Sequence, residues 1–109
     1  LLRAIEVSHR YNIIIVLKGR YTAIVRPDGR VYFNSSGTPA MATGGSGDVL
    51  TGVIGSLLAQ GYKPEVAAVC GVFIHGWAGE IAAETQGEYG VIASDIADNI
   101  GKAITQIME

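Results

Sequence analysis

Gly44-Gly45-Ser46-Gly47-Asp48 runs directly into Val49-Leu50-Thr51-Gly52-Val53-Ile54, setting a row of backbone amides beside one carboxylate where an apolar helix begins. The amides and the positive end of a helix dipole favour an anion, and phosphate suits them well. A carboxylate there has a natural task if it takes a proton from, or orients, a group attacking that phosphate. The plainer reading of Asp48 is a dipole-compensating side chain in a first turn, worth under about 1 kcal/mol. The plainer reading of the glycines is a tight turn. Phosphate chemistry is favoured because the glycines are dense and carry Ser36, Thr38, Thr43 and Ser46 among or near them. Glycine lets backbone approach an anion closely. The segment is not a P-loop, since Asp48 stands where that motif needs lysine. Nor do the glycine spacing and the preceding strand match a dinucleotide fingerprint.

Lys18-Gly19-Arg20-Tyr21-Thr22 is a second candidate. It follows an apolar strand, and ligands of open α/β sheets gather at the carboxyl ends of strands. Lys18 offers a point charge to a phosphate and Thr22 a donor; the alternative is a hairpin connection with solvated charges. His75, isolated on an apolar helix, reads as a packed core residue, with nothing at metal-ligand spacing around it. Gly71, Gly76 and Gly79 read as sites of close helix packing. Glu80, Glu84 and Glu88 follow four-residue spacing and read as a solvated helix face.

These residues need elements to hold them. Residues 1–9 read as the end of an amphipathic helix, with Leu1, Leu2, Ile5 and His9 on one side. The branched run Ile13-Ile14-Ile15-Val16-Leu17 predicts a strand buried on both faces. Strands at 21–25 and 31–33 flank Pro27-Asp28-Gly29-Arg30, whose proline and glycine predict a hairpin turn. Residues 34–46 form a loop of small residues. Helices are expected at about 47–60, stopped by Gly61, and at about 64–85, opened by Pro64. A last helix is expected from an N-cap at Ser94 to Ile107. No repeat or linker interrupts the chain, and the fold class is α/β.

At 109 residues, 49% hydrophobic and 17% charged, the chain reads as one small core-forming unit. A net charge of −2 makes no electrostatic case for nucleic acid or an anionic membrane. The single cysteine, Cys70, excludes an intrachain disulfide and a cysteine metal site, and fits a reducing cytoplasm. No apolar run is read as reaching transmembrane length, and no signal-peptide order is present at the start. Opening at Leu1-Leu2 without methionine, the chain reads as beginning inside something larger.

The stretch from Asn34-Ser35-Ser36-Gly37-Thr38-Pro39-Ala40-Met41-Ala42-Thr43 through Gly44–Asp48 to Gly52 resembles the signature of the ADP- or ATP-dependent NAD(P)H-hydrate dehydratases, members of the ribokinase-like superfamily. Lys18-Gly19 with Thr22 resembles that family's other nucleotide segment, and Gly90–Asp95 the start of its last helix. Thr38 stands where the family often has asparagine, and Ala40 where it often has glycine. The shorter Gly-Ser-Gly-Asp core is shared with many kinases of the superfamily.

The resemblance implies a repair reaction in which the hydrates NADHX and NADPHX return to NADH and NADPH. Their hydroxyl would attack the terminal phosphate of ADP or ATP, and the ester would leave as inorganic phosphate. Lys18, Gly19, Arg20, Tyr21 and Thr22 would hold the nucleotide together with Thr38, Pro39, Ala40, Met41, Ala42 and Thr43. Gly44, Gly45, Ser46 and Gly47 would complete that set and stabilise charge on the transferring group. Asp48 would contact the substrate hydroxyl as base, with magnesium bridging the phosphates. Bacterial members typically use ADP and eukaryotic members ATP; composition does not decide between them. An NAD(P)H-hydrate epimerase is implied as a fused or paired partner. Two rivals stay open: a small-molecule (vitamin-precursor) kinase, and a non-catalytic nucleotide-binding module. Domains of this superfamily are much longer, so residues 1–109 are expected to be the C-terminal portion of a three-layer α/β/α domain. On its own, such a portion is expected to associate into homo-oligomers through an uncovered strand edge.

Overall fold

Ala23, Ile24 and Val25 are all but excluded from solvent and form the middle strand of a three-stranded antiparallel sheet. The computed structural model describes residues 1–19 and 21–109; the expected nucleotide contact at Arg20 lies outside them. Strand β1 (Ile15–Leu17) pairs with β2 (Ala23–Val25), Ile15 opposite Val25. Strand β2 pairs in turn with β3 (Val31–Phe33), Val25 opposite Val31. The β2–β3 turn is the expected one. Gly29 has φ 89°, its amide donates to the Arg26 carbonyl, and the Asp28 carboxylate accepts from the Arg30 amide at 3.0 Å.

Helix α1 (Leu2–Tyr11) packs on β1 and β2, and Ser8 is buried there, donating to the Ile13 carbonyl. Leu1 and Leu2, expected on its packed side, are instead exposed. On the other face Ile24 meets Leu50 of α2 (Ser46–Ala59) and Ala68 and Val72 of α3 (Pro64–Gln86). Alternation along β2 therefore gives each face a helical layer. The run at 13–17 is not doubly buried: Ile13 is 46% and Leu17 39% exposed, because β1 is a sheet edge.

Helix α3 is the longest element, with Pro64 in its first turn as expected. Contrary to the sequence expectation, it is long and apolar enough to cross a membrane by length and composition alone. That apolarity is taken up by packing, with ten of its residues buried against other elements. Cys70, on the same helix, is a free and exposed thiol. The C-terminal half of α3 shares a second apolar cluster with α4 (Ala93–Asp98) and α5 (Ile100–Met108), built on Ala78, Ile81, Ile96 and Ala103.

The expected single last helix is thus two. Asn99 breaks it by donating from its side chain to the Asp95 carbonyl at 2.7 Å, competing with the helical ladder. The N-cap also falls two residues before Ser94. It is Ile92, whose amide donates to the Asp95 carboxylate at 2.9 Å.

Candidate functional site

A cleft of about 730 Å³ opens between the end of β1, loop 34–43, and the facing sides of α2 and α3. Lys18, Gly19, Tyr21 and Thr22 line one side, and Thr38, Pro39, Met41, Ala42 and Thr43 the other. Ser46 and Leu50 from α2, with Val72, His75 and Gly76 from α3, complete it. The two sequence candidates, far apart in the chain, therefore face one space. Of the expected nucleotide contacts, Gly44, Gly45 and Gly47 do not line it, and Ala40 packs instead against the α3–α5 cluster.

The α2 start explains the density of glycine. Gly45 is the N-cap with φ 89°, a backbone conformation that side chains resist. A Cβ there would also press on Ala93 at 3.1 Å. The Ser46 amide bonds the Thr43 carbonyl and the Asp48 amide the Gly45 carbonyl, whereas Gly44, Gly45 and Gly47 find no such carbonyl among the described residues. A Cβ on Gly47 would lie 2.8 Å from Lys18 Nζ, so the ammonium rests on the first turn of the helix. That brings a cation to the positive end of a dipole. Among the described residues no carboxylate forms an ion pair with Lys18. An anion between the ammonium and the amides would relieve both.

Asp48 is exposed and does not line the cleft. Ser46 faces the cleft, and two residues on, about 200° around the helix, Asp48 faces away from it. The carboxylate and the cleft thus lie on opposite sides of one helical turn. No three His, Cys, Asp or Glu side chains come together as a metal site among the described residues.

Loop 34–43 is held against α3 by contacts the sequence reading missed. Ser36 Oγ donates to the Phe73 carbonyl at 3.0 Å, and Asn34 Nδ2 donates to the Ser36 carbonyl at 3.0 Å. The Glu80 carboxylate accepts from the Gly37 amide at 3.2 Å, and Glu88 from the Thr38 hydroxyl at 3.0 Å. The expected solvated face is therefore corrected: of the three glutamates, Glu80 and Glu88 anchor the loop. Even spacing hides this, because α3 ends at Gln86 and Glu88 lies beyond it. The glycines divide similarly. Gly71 admits Ile54 of α2, whose Cγ1 would be 2.7 Å from a Cβ there. Gly76 and Gly79 admit the loop instead, through Ser36 and Met41.

His75 is buried as expected, with Nε2 3.1 Å from the Ser46 carbonyl oxygen and 3.4 Å from its hydroxyl. A carbonyl only accepts, so a hydrogen bond at that place calls for the Nε2–H tautomer. Burial lowers the ring's pKa below the ordinary histidine value; the bond to Ser46 acts in the opposite direction, and the Lys18 charge lowers it further.

An α/β unit that sets a cation and helix-start amides around a cleft has the chemistry that suits an anion such as phosphate. The profile of the Carb_kinase family, described as NAD(P)H-hydrate dehydratase, matches residues 3–102, and the chain belongs to that family. It is 43% identical over 106 residues to the bifunctional NAD(P)H-hydrate repair enzyme Nnr of Moorella thermoacetica, covering 97% of this chain and 20% of that protein. With the ADP-dependent (S)-NAD(P)H-hydrate dehydratase of Neisseria meningitidis it shares 46% identity over 88 residues, 80% of this chain and 30% of that one. The chain thus spans a third or less of these relatives. Among solved structures, the ADP/ATP-dependent NAD(P)H-hydrate dehydratase of Bacillus subtilis, co-crystallised with ATP and Mg2+, superposes with a TM-score of 0.89 at 31% identity. That match covers 96% of this chain and 38% of the other. A ribokinase-like superfamily protein of Enterococcus faecalis superposes at 0.80 with 33% identity, covering 97% and 36%. The architecture is that of part of a ribokinase-like α/β domain.

Proposed function

We propose that residues 1–109 are the C-terminal, nucleotide-gripping portion of an enzyme that returns (S)-NADHX and NADPHX to NADH and NADPH at the expense of ADP or ATP. The observation that carries this reading is the Lys18 ammonium resting on Gly47 at the start of α2, beside amides without carbonyl partners. A terminal phosphate is the anion such a cradle suits. The names of the Neisseria and Bacillus relatives support both the substrate and the nucleotide.

In this reading the nucleotide occupies the cleft and the hydrate lies across the α2 turn, next to Asp48. With the terminal phosphate at the amide end of α2, between the cleft and Asp48, the carboxylate accepts the proton of the hydrate's hydroxyl as that oxygen attacks the terminal phosphorus and displaces AMP from ADP, or ADP from ATP. The Gly44–Gly47 amides and Lys18 stabilise charge on the transferring group. The ester then leaves as inorganic phosphate while the adjacent ring carbon gives up a proton, restoring the double bond. Magnesium would arrive as the phosphates' own counter-ion, since no carboxylate lines the cleft among the described residues to hold it there. When bound it would neutralise phosphate charge.

Incubation of the protein with hydrated NADH, magnesium and ADP or ATP is expected to restore nicotinamide absorbance and release phosphate. A stable phosphoester without that recovery would favour the small-molecule kinase. Asp48→Ala is expected to keep nucleotide affinity and lose turnover by roughly a hundredfold or more. A parent protein that binds nucleotide and turns nothing over would be a binding module. The bifunctional relatives support a second repair activity, read here as an epimerase of the hydrate, fused or paired with this one. A cytoplasmic location suits the substrates, and the free Cys70 thiol agrees with it. Self-association through exposed apolar residues such as Phe33 and Ile107 is open to light scattering.

A further inference from the structure

Helix α3 meets α2 along one stripe, in which Gly71 and His75 are one turn apart and share a face. Gly71 receives Ile54 from the middle of α2, and His75 reaches its beginning. There Nε2 lies 3.1 Å from the Ser46 carbonyl oxygen, in the same turn as Gly47, over whose open Cβ position the Lys18 ammonium rests. The neighbouring residue, Gly76, seats Ser36 of the opposite cleft wall. Nothing else in α3 forms a side-chain hydrogen bond to α2 among the described residues.

We infer that His75 is a positioning residue for phosphoryl transfer, its Nε2–H holding the Ser46 carbonyl so that the α2 amides and Lys18 meet the terminal phosphate in one fixed geometry. This rests on the nucleotide-binding part of the reading above. The chemistry favours histidine at this place. A lysine would set a second full charge near Lys18, and an aliphatic side chain would leave the turn without its tie to α3. A neutral imidazole supplies a donor and keeps the cleft's positive charge on Lys18, where an anion can meet it.

Two substitutions separate this role from simple packing. His75→Phe keeps a ring of similar volume and removes the donor; His75→Gln carries an amide N–H at a reach comparable to Nε2. In the full protein, calorimetric affinity for Mg-ADP is expected to fall roughly tenfold in the Phe variant and to return to within about threefold of the parent in the Gln variant. Where turnover is measured, the Phe variant loses more in kcat than in KM. Nitrogen-15 spectra of the parent ring are expected to show the neutral Nε2–H tautomer. Phe-variant affinity equal to the parent's, a folded Gln variant no better than Phe, or an Nδ1–H tautomer overturns the inference. A parent that binds ADP without restoring NADH refutes the dehydratase reading and leaves His75 to be judged by the affinities and the tautomer. A parent that binds no ADP refutes both.

Discussion

Replacing Gly76 with alanine adds one methyl group where α3 touches the cleft loop. A Cβ there would lie 2.8 Å from the Ser36 carbonyl carbon, 2.9 Å from its Cβ and closer still to its hydroxyl. Side-chain rotation does not relieve a clash with a backbone carbon, so residues 34–37 must retreat from the helix. That retreat stretches the Ser36–Phe73 bond of 3.0 Å and the Glu80–Gly37 bond of 3.2 Å. Alanine regains about 1 kcal/mol over glycine in a helix interior, whereas overpacking costs about 1–3 kcal/mol and each weakened bond up to about 1 kcal/mol. The balance is a net loss centred near roughly 2 kcal/mol and reaching at most about 4, together with a displaced cleft wall. Gly101→Ala in α5 is the control, because a Cβ there has nothing within 4 Å. That variant is expected to be unchanged or up to about 1 kcal/mol more stable. Urea denaturation of the two variants beside the parent gives the stabilities, and Mg-ADP calorimetry reports the wall. A Gly76→Ala protein as stable as the Gly101→Ala control, with parental ADP affinity, would refute the close-approach reasoning.

Gly47→Ala meets only the flexible tip of Lys18, at 2.8 Å, so stability is expected to hold while ADP affinity falls roughly tenfold as the ammonium is pushed aside. Unchanged affinity at low salt would show that Lys18 does not reach the phosphate. The depressed His75 pKa makes stability pH-dependent: as pH falls below the ordinary value of about 6.5, the unfolded chain takes up the proton first. Stability present above that pH is lost as pH falls through the folded-state value, and His75→Gln should flatten this acid-side slope in denaturation midpoints.

Local chemistry was the legible part. The Pro27–Arg30 turn, the Pro64 helix start and the Gly61 stop each depend on a few adjacent residues, and the structure agrees with them to within a residue or two. The strand at 13–17 read as doubly buried because its composition records apolarity, whereas burial depends on what lies across its edge. The break at Asn99 was hidden because one side-chain bond to Asp95 overrides an otherwise continuous helical pattern. Glu80 and Glu88 looked like solvent-facing charges because their partners, Gly37 and Thr38, lie more than forty residues away in the chain. At the site, the glycine loop was visible from its own residues. Its juxtaposition with Lys18 came from the family resemblance, since no local pattern brings residues 18 and 47 together.

Helix α3 touches both sides of the cleft within a single turn, His75 gripping the start of α2 and Gly76 the Ser36 loop. The width of the opening is thereby tied to the stiffness of one rod. Both walls are hydrogen-bonded to that rod at this level, so loosening α3 slackens both together. In amide exchange, the first turn of α2 and the backbone around Ser36 will lose protection as one cooperative event, at the rate at which the middle of α3 gives way.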